Sequence, residues 1–128
     1  MPTPEQIDTI RQLNDGARQR PGAGSIANVT SGFQALPDAD RFAALAAIIA
    51  FSKFDTDNDP YGEHDFGAVY RLTAGTWTQE RPSDDTAIAE TVFWKVDYYD
   101  RTLTNGSEAP WDAQQTQRVL TIMLASEY

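Results

Sequence analysis

Cysteine is absent from this 128-residue sequence, and histidine occurs once, as His64. The lack of cysteine excludes disulfides, thiolate nucleophiles, zinc-finger ligand sets and iron–sulfur clusters. Any metal site must therefore use oxygen ligands and a single imidazole. Long hydrophobic runs are also lacking, because the longest, residues 42–51, is too short to span a bilayer, and the N-terminus carries no basic and apolar leader. These features predict a cytoplasmic protein without membrane association.

Basic residues are few. Ten Lys and Arg stand against 19 Asp and Glu, which gives a formal net charge of −9. The basic residues are scattered singly, whereas phosphate backbones are held by grouped Lys and Arg, so we expect no direct binding of nucleic acid. An acidic surface favours a protein partner with a basic surface, or it only keeps the protein in solution.

Large apolar side chains are plentiful. The hydrophobic fraction is 41%, with three Trp, five Tyr and six Phe, which argues against a disordered chain. A chain of this length can bury its own core, and no repeat or linker divides it. We therefore expect a single domain over residues 1–128.

Three helices are predicted. The first begins with a capping-box pattern at Thr3, and the second opens at Pro37, with an apolar stripe that starts at Phe42. The third begins at Pro110 and continues through an apolar stripe at Val119, Leu120, Met123 and Leu124.

Three strands are predicted between these helices. Residues 26–33 are rich in β-branched and small residues, and residues 66–73 and 89–99 alternate with period two. The last two read as an antiparallel hairpin, on which Lys95 and Asp97 project from one face. The element order α-β-α-β-β-α predicts an α+β fold, with a three-stranded, mainly antiparallel sheet packed against three helices.

Polar chemistry is concentrated in the loop of residues 55–67, which holds His64 and five carboxylates: Asp55, Asp57, Asp59, Glu63 and Asp65. Asp55, Asp57 and Asp59 match the start of a helix-loop-helix calcium site, but Pro60 and Phe66 stand where that site requires glycine and a bidentate glutamate. Another arrangement of Asp57, Asp59 and His64 is the candidate site for a divalent cation, and no other cofactor is implied.

His64 is also the candidate general acid or base, because histidine is the residue type whose ordinary side-chain chemistry suits proton transfer near neutral pH. Glu63 and Asp65 are candidates to orient it, and Lys95 and Asp97 would complete a catalytic group if the loop meets that face of the hairpin. The sequence contains no phosphate-binding glycine loop, nucleophile elbow or His-Glu-x-x-His pair. The competing interpretation is structural: Asp and Asn cap the turns, and His64 is a hydrogen-bonded support.

Three blocks carry a family resemblance: DNDPYGEHDFG at 57–67, FWKVDYYD at 93–100 and RVLTIMLASEY at 118–128. They resemble a bacterial domain family of unknown function that occurs mainly in plasmids and other mobile elements. The resemblance implies an intracellular accessory protein in plasmid maintenance, transfer or counter-defence. Compared with that family, residues 74–87 read as an insertion, whose Trp77, Asp84 and Asp85 are candidates for a partner-binding tip.

Two functions remain open from the sequence. The first is a small acidic binding or inhibitor module that acts on a host or plasmid protein with a basic surface. The alternative is a small hydrolase of phosphoester or amide bonds, centred on residues 57–65 and with or without a metal ion.

Overall fold

A computed structural model describes residues 2–128. The helices are α1 (Pro4–Gln19), α2 (Ser31–Gln34) and α3 (Asp38–Ile49), and the strands are β1 (Ile26–Val29), β2 (Phe66–Leu72), β3 (Trp77–Thr78), β4 (Ile88–Tyr99) and β5 (Gln117–Leu124). In this part of the chain, no helix has the length and apolar character needed to cross a membrane.

The strands form one five-stranded mixed sheet in the order β1-β5-β4-β2-β3. Strand β1 runs parallel to β5, and the other neighbours are antiparallel. The predicted three-stranded, mainly antiparallel sheet is therefore wrong, although the fold is α+β as expected. The predicted antiparallel pairing of β2 with β4 does form, from Phe66 with Lys95 onward. The two are not consecutive strands, however, since β3 lies between them in sequence and pairs with the other edge of β2.

The main error lies at the C-terminus, where the predicted third helix is strand β5. This strand lies between β1 and β4. Leu120 and Ile122 face the core, while Val119 and Met123 on the other face are also at most 9% exposed. A strand buried on both faces reads as a continuous apolar run, and such a run also satisfies helical spacing.

The first two predicted helices are present with altered details. Thr3 and Gln6 form the capping box of α1. In α3 the buried residues are Ala44 and Ile48, whereas Phe42 is 70% exposed. The predicted strand 26–33 ends early, because Thr30 caps the short helix α2 by accepting a hydrogen bond from the Phe33 N–H.

One face of the sheet forms the core with the helices. Trp94 on β4 lies at its centre and is fully buried. Phe51 packs edge-on against its ring, with centroids 5.4 Å apart. On the opposite face, Phe66 and Phe93 pack edge-on or tilted with Tyr128. Residues that alternate along β4 thus separate a core face from an outer face, as the period-two pattern predicts.

Candidate functional site

The loop between α3 and β2 begins with turn chemistry. The carboxylate of Asp55 accepts hydrogen bonds from the backbone N–H groups of Asp57 and Asn58, at 2.9 and 3.0 Å. The Asn58 side chain in turn accepts from the Asp55 N–H at 3.0 Å. Tyr61 at the tip of the loop is 73% exposed. The first half of the loop is therefore held by its own Asp and Asn side chains.

His64 occupies the left-handed region of backbone conformation, with φ of 56°. A non-glycine residue adopts this conformation only where its surroundings hold it. Its N–H donates to the buried carboxylate of Asp59 at 3.1 Å. The imidazole stacks flat on the Phe54 ring, with centroids 3.6 Å apart and planes 2° from parallel.

The imidazole of His64 is oriented by helix α1. Nδ1 lies 2.9 Å from Oδ1 of Asp15, and because an ionised carboxylate only accepts, Nδ1 carries the proton and donates. Nε2 lies 3.7 Å from Oδ2 of Asp59. In the neutral ring, Nε2 keeps its lone pair. The residue His64 lines an open cleft of about 390 Å³, together with Arg11 and Thr56.

A buried polar network joins α1, the loop and the sheet. Asn14 is fully buried and donates from its amide nitrogen to the carbonyl of Glu63 at 2.9 Å and to the hydroxyl of Tyr98 at 2.7 Å. Its amide oxygen accepts from Nε of Arg118 at 2.6 Å. The Tyr98 hydroxyl donates to the Glu63 carboxylate at 2.7 Å. The Asn14 side chain of α1 therefore connects the loop to strands β4 and β5.

Burial alters the ionisation of this network. It raises the pKa of Tyr98, and the hydrogen bond to Glu63 raises it further, so the phenol stays protonated. Burial likewise lowers the pKa of Arg118, because a charged guanidinium loses hydration there. Arg118 remains charged at neutral pH nevertheless, since arginine begins from a very high value.

Asp65 is the carboxylate with the largest resolved change near neutrality. Burial, followed by repulsion from Glu63, raises the pKa of Asp65 from 3.8 to about 6. Its backbone carbonyl accepts from the Val96 N–H at 2.8 Å, which fixes this end of the loop to β4. The folded protein therefore holds a proton on Asp65 in a pH range where the unfolded chain has lost it.

This difference predicts a pH-dependent effect of Asp65→Asn. Well below pH 4 both folded and unfolded wild type carry the proton on Asp65. As the pH rises towards about 6, the unfolded state loses this proton first, so the free energy of unfolding of the wild type falls. Above pH 6 the variant is thus expected to be more stable by about 1 kcal/mol, a value that allows for solvent screening. Urea unfolding of both proteins at pH 4 and pH 7.5 measures it.

The exposed Asp57→Asn is the matched control for this experiment, since the Asp57 side chain makes no hydrogen bond within residues 2–128. Its stability difference from wild type should be the same at both pH values. An Asp65→Asn difference that does not grow with pH would contradict the assignment.

The other predicted catalytic residues lie on the outer face of the sheet. Lys95 Nζ pairs with Asp97 Oδ2 at 3.0 Å, and this hydrogen bond raises the pKa of Lys95. Within residues 2–128, no hydrogen bond or ion pair joins either side chain to His64.

The three partner-binding candidates in residues 74–87 all form hydrogen bonds or ion pairs within the domain. Trp77 is half-buried and donates from Nε1 to Asp40 on α3 at 3.1 Å. The exposed Asp84 accepts from the Thr86 N–H at 3.0 Å, and the exposed Asp85 pairs with Arg81 at 2.8 Å. Trp77 thus packs against the domain, and the two acids lie at its surface.

For the cation candidates, the structure places Asp59 and His64 together but Asp57 in the exposed first half of the loop. Among the described residues, no three His, Asp or Glu side chains are grouped so that they would hold a metal ion.

Sequence reasoning missed the contribution of helix α1. Asn14, Asp15 and Arg18 all contact the site, and Asn14 lies four residues after the buried Ile10 on the same face of the helix. A polar residue within an apolar stripe was the available signal. The partners Tyr98 and Arg118 lie 84 and 104 residues away in sequence, and no local pattern links them to it.

Comparison with known proteins gives a match to one family. A family described as "Protein of unknown function (DUF3768)" matches residues 29–127. The expected resemblance to a domain family of unknown function is confirmed, while its expected occurrence in plasmids stays a prediction. No curated protein and no solved structure matches the chain. Helix α1 precedes the matched residues, so Asn14 and Asp15, which contact the loop and His64, lie outside the family match.

Proposed function

The chain belongs to this family of unknown function, and we propose that it is a binding module whose acidic end engages a basic surface on another protein. The acidic end consists of residues 55–65 and 100–116. The first segment carries five carboxylates and no Lys or Arg, and the second carries three carboxylates and one Arg. The concentration of this charge at one end of the sheet is the observation that carries the proposal.

The two segments of the acidic end meet at the end of strand β4. The Tyr98 hydroxyl bonds Glu63 of the first segment at 2.7 Å, and the Tyr98 carbonyl accepts from the Ser107 N–H of the second at 3.0 Å. Tyr99 forms a bridge with Gly106. Residues that are distant in sequence are therefore brought to a common surface.

Elsewhere, many carboxylates are neutralised by basic side chains. The ion pairs outside the acidic end are Arg11–Asp8, Arg18–Asp15, Arg41–Asp38, Lys53–Glu80, Arg71–Asp40, Arg81–Asp85 and Lys95–Asp97. The uncompensated negative charge is thus greatest at the acidic end. Opposite charges speed the encounter of two proteins, and the exposed Tyr61 offers the aromatic contact that interfaces favour.

The family resemblance noted from the sequence adds a biological context to this proposal. It favours a host or plasmid protein as the partner, in plasmid maintenance, transfer or counter-defence. The acidic end itself supports only the chemistry of that partner, which is a surface rich in Lys and Arg.

A peptide of alternating Lys and Gly residues is a defined probe for the acidic end. The double variant Asp57→Asn, Glu108→Gln removes two exposed charges from it. We expect binding at low salt to weaken roughly fivefold, because two surface charges together contribute about 1 kcal/mol, and wild-type binding to weaken with added salt. Isothermal titration calorimetry measures both effects.

The matched control is Glu5→Gln, Glu90→Gln, which has the same net charge but keeps the acidic end intact. It should bind the probe within twofold of wild type. Equal weakening by both double variants would show that only the net charge matters, and would contradict a localised binding surface.

A second candidate function is a small hydrolase with His64 as general base. The hydrogen bond from Nδ1 to Asp15 supports it, because it leaves the lone pair on Nε2 of a side chain that lines an open cleft. A hydrolysis assay on the wild-type protein and a His64→Ala variant separates the two functions. Hydrolysis of p-nitrophenyl acetate or phosphate, with and without Mg²⁺, that His64→Ala slows at least 100-fold would favour the enzyme. Rates equal to buffer would exclude these substrates and favour binding.

A further inference from the structure

A small pocket lies between α1 and residues 51–54, beside His64. Its volume is about 250 Å³, and its walls include Arg18, Gln19, Ser52 and Phe54. Gln19 and Ser52 are exposed, so the pocket opens to solvent on their side. Neither the acidic end nor the cleft at Nε2 of His64 accounts for it.

Arg18 lines this pocket although its side chain is only 2% exposed. The guanidinium lies beside two aromatic rings that contact each other, 5.4 Å from the centroid of Phe54 and 5.3 Å from that of Trp94. Both rings attract the cation. The position of this buried charge is thus fixed by packing.

The hydrogen bonds of Arg18 are far from complete. Nη1 donates to Oδ1 of Asp15 at 3.0 Å, which is its one hydrogen bond within residues 2–128. Its Nε is buried and has no partner in that part of the chain. A guanidinium has five N–H donors, and buried donors without acceptors are costly and rare. The edge formed by Nε and Nη2 therefore lacks an acceptor.

We propose that the pocket binds a carboxylate group, which Arg18 holds through Nη2, the atom of this edge that is not fully buried. A guanidinium N–H forms a strong charge-assisted hydrogen bond with a carboxylate oxygen. Asp15 already balances the charge of Arg18, so a singly charged carboxylate suits the pocket better than a doubly charged phosphate. The Gln19 amide at the rim is able to donate a further hydrogen bond.

The carboxylate has two chemical sources: a free small carboxylic acid or the C-terminus of a polypeptide. The pocket binds an anion, whereas the acidic end binds a basic surface, so this inference does not depend on the proposed function. The double variant Asp57→Asn, Glu108→Gln should leave carboxylate binding unchanged.

Titrations of the ¹⁵N-labelled protein with defined probes test the proposal by NMR. Acetate represents the free acid and N-acetylglycine the chain terminus, and acetamide and N-acetylglycinamide are their neutral counterparts. We expect saturable shifts at Gln19, Ser52 and the Trp94 indole with at least one carboxylate, and at least tenfold weaker binding of its amide. Tighter binding of acetate indicates the free acid, and tighter binding of N-acetylglycine indicates the chain terminus.

Two variants locate the binding. Arg18→Lys keeps the charge but removes the guanidinium donor Nη2, and should weaken carboxylate binding at least fivefold. Ser52→Phe narrows the mouth of the pocket without altering buried Arg18, and should do the same, whereas Ser83→Phe at another exposed serine should have no effect. If Arg18→Lys does not fold, carboxylate binding by Ser52→Phe tests the proposal by itself. Equal binding of amides and carboxylates, no saturable binding, or full affinity in Ser52→Phe would overturn the proposal.

Discussion

Replacing Asn14 by alanine is expected to lower the free energy of unfolding by about 3 kcal/mol. The amide is fully buried and satisfies the Glu63 carbonyl, the Tyr98 hydroxyl and Nε of Arg118. Its removal leaves a charged donor and a carbonyl unpaired away from water, and each such group costs about 1–3 kcal/mol. Urea unfolding should show a lower midpoint with an unchanged slope, and the melting temperature should fall by roughly 10 °C.

Asn28→Ala is the matched control for Asn14→Ala. Asn28 lies on the edge strand β1 and is exposed, so its replacement should change stability by less than about 0.5 kcal/mol. A loss below about 1 kcal/mol in Asn14→Ala would show that water replaces the amide. In that case Asn14 would not be what holds the loop on the sheet.

The loss of Asn14 has a functional consequence as well. The two segments of the acidic end meet at Tyr98. Its hydroxyl accepts a hydrogen bond from Asn14 and donates one to Glu63. A folded Asn14→Ala protein should therefore bind the basic probe peptide more weakly, although no surface charge has been removed. Weakened binding of this kind depends on the position of the loop and not on net charge.

The second large effect is expected for Gly67→Ala, which should destabilise the protein by about 3 kcal/mol. Gly67 is on β2 at the core face, paired with Trp94. A Cβ added there would lie 2.6 Å from Nε1 of Trp94 and 2.8 Å from Cζ of Phe51. Both rings are at most 3% exposed, so neither has free space into which to move. Thermal unfolding followed by tryptophan fluorescence measures the loss.

Gly106→Ala provides the control for this steric argument. At Gly106 the nearest atom to an added Cβ is the carbonyl oxygen of Tyr98 at 3.8 Å, an ordinary contact. Its stability should stay within about 0.5 kcal/mol of wild type. A Gly67→Ala protein as stable as Gly106→Ala would mean that the core around Trp94 is loosely packed.

The elements predicted correctly are those whose signal is local. The capping box at Thr3 and Gln6 is formed within four residues, and it marks the start of α1 in the structure as in the sequence. The alternation along residues 66–72 and 88–99 also places Trp94 in the core and Lys95 outside it. Period-two alternation identifies a strand whenever one face is buried and the other is wet.

Strand β5 shows where local signals fail. Apart from Thr121, residues 119–124 are apolar on both faces because β5 lies inside the sheet between two other strands. An apolar run of this length fits a helix and a buried strand equally well. Its pairing with β1, some 93 residues earlier in register at Ile26 and Val119, decides between them. That pairing is a property of the whole fold.

The sequence by itself determined the charge, the absence of cysteine chemistry, the antiparallel pairing of β2 with β4, and the loop in which His64 lies. Only the tertiary structure decided what His64 and its neighbours contact. Asp15 reaches His64, and Asn14 reaches Tyr98 and Arg118, across 49 to 104 residues of sequence. Local patterns arise from the backbone periods of helix and strand, whereas these contacts arise from the way α1 packs on the sheet.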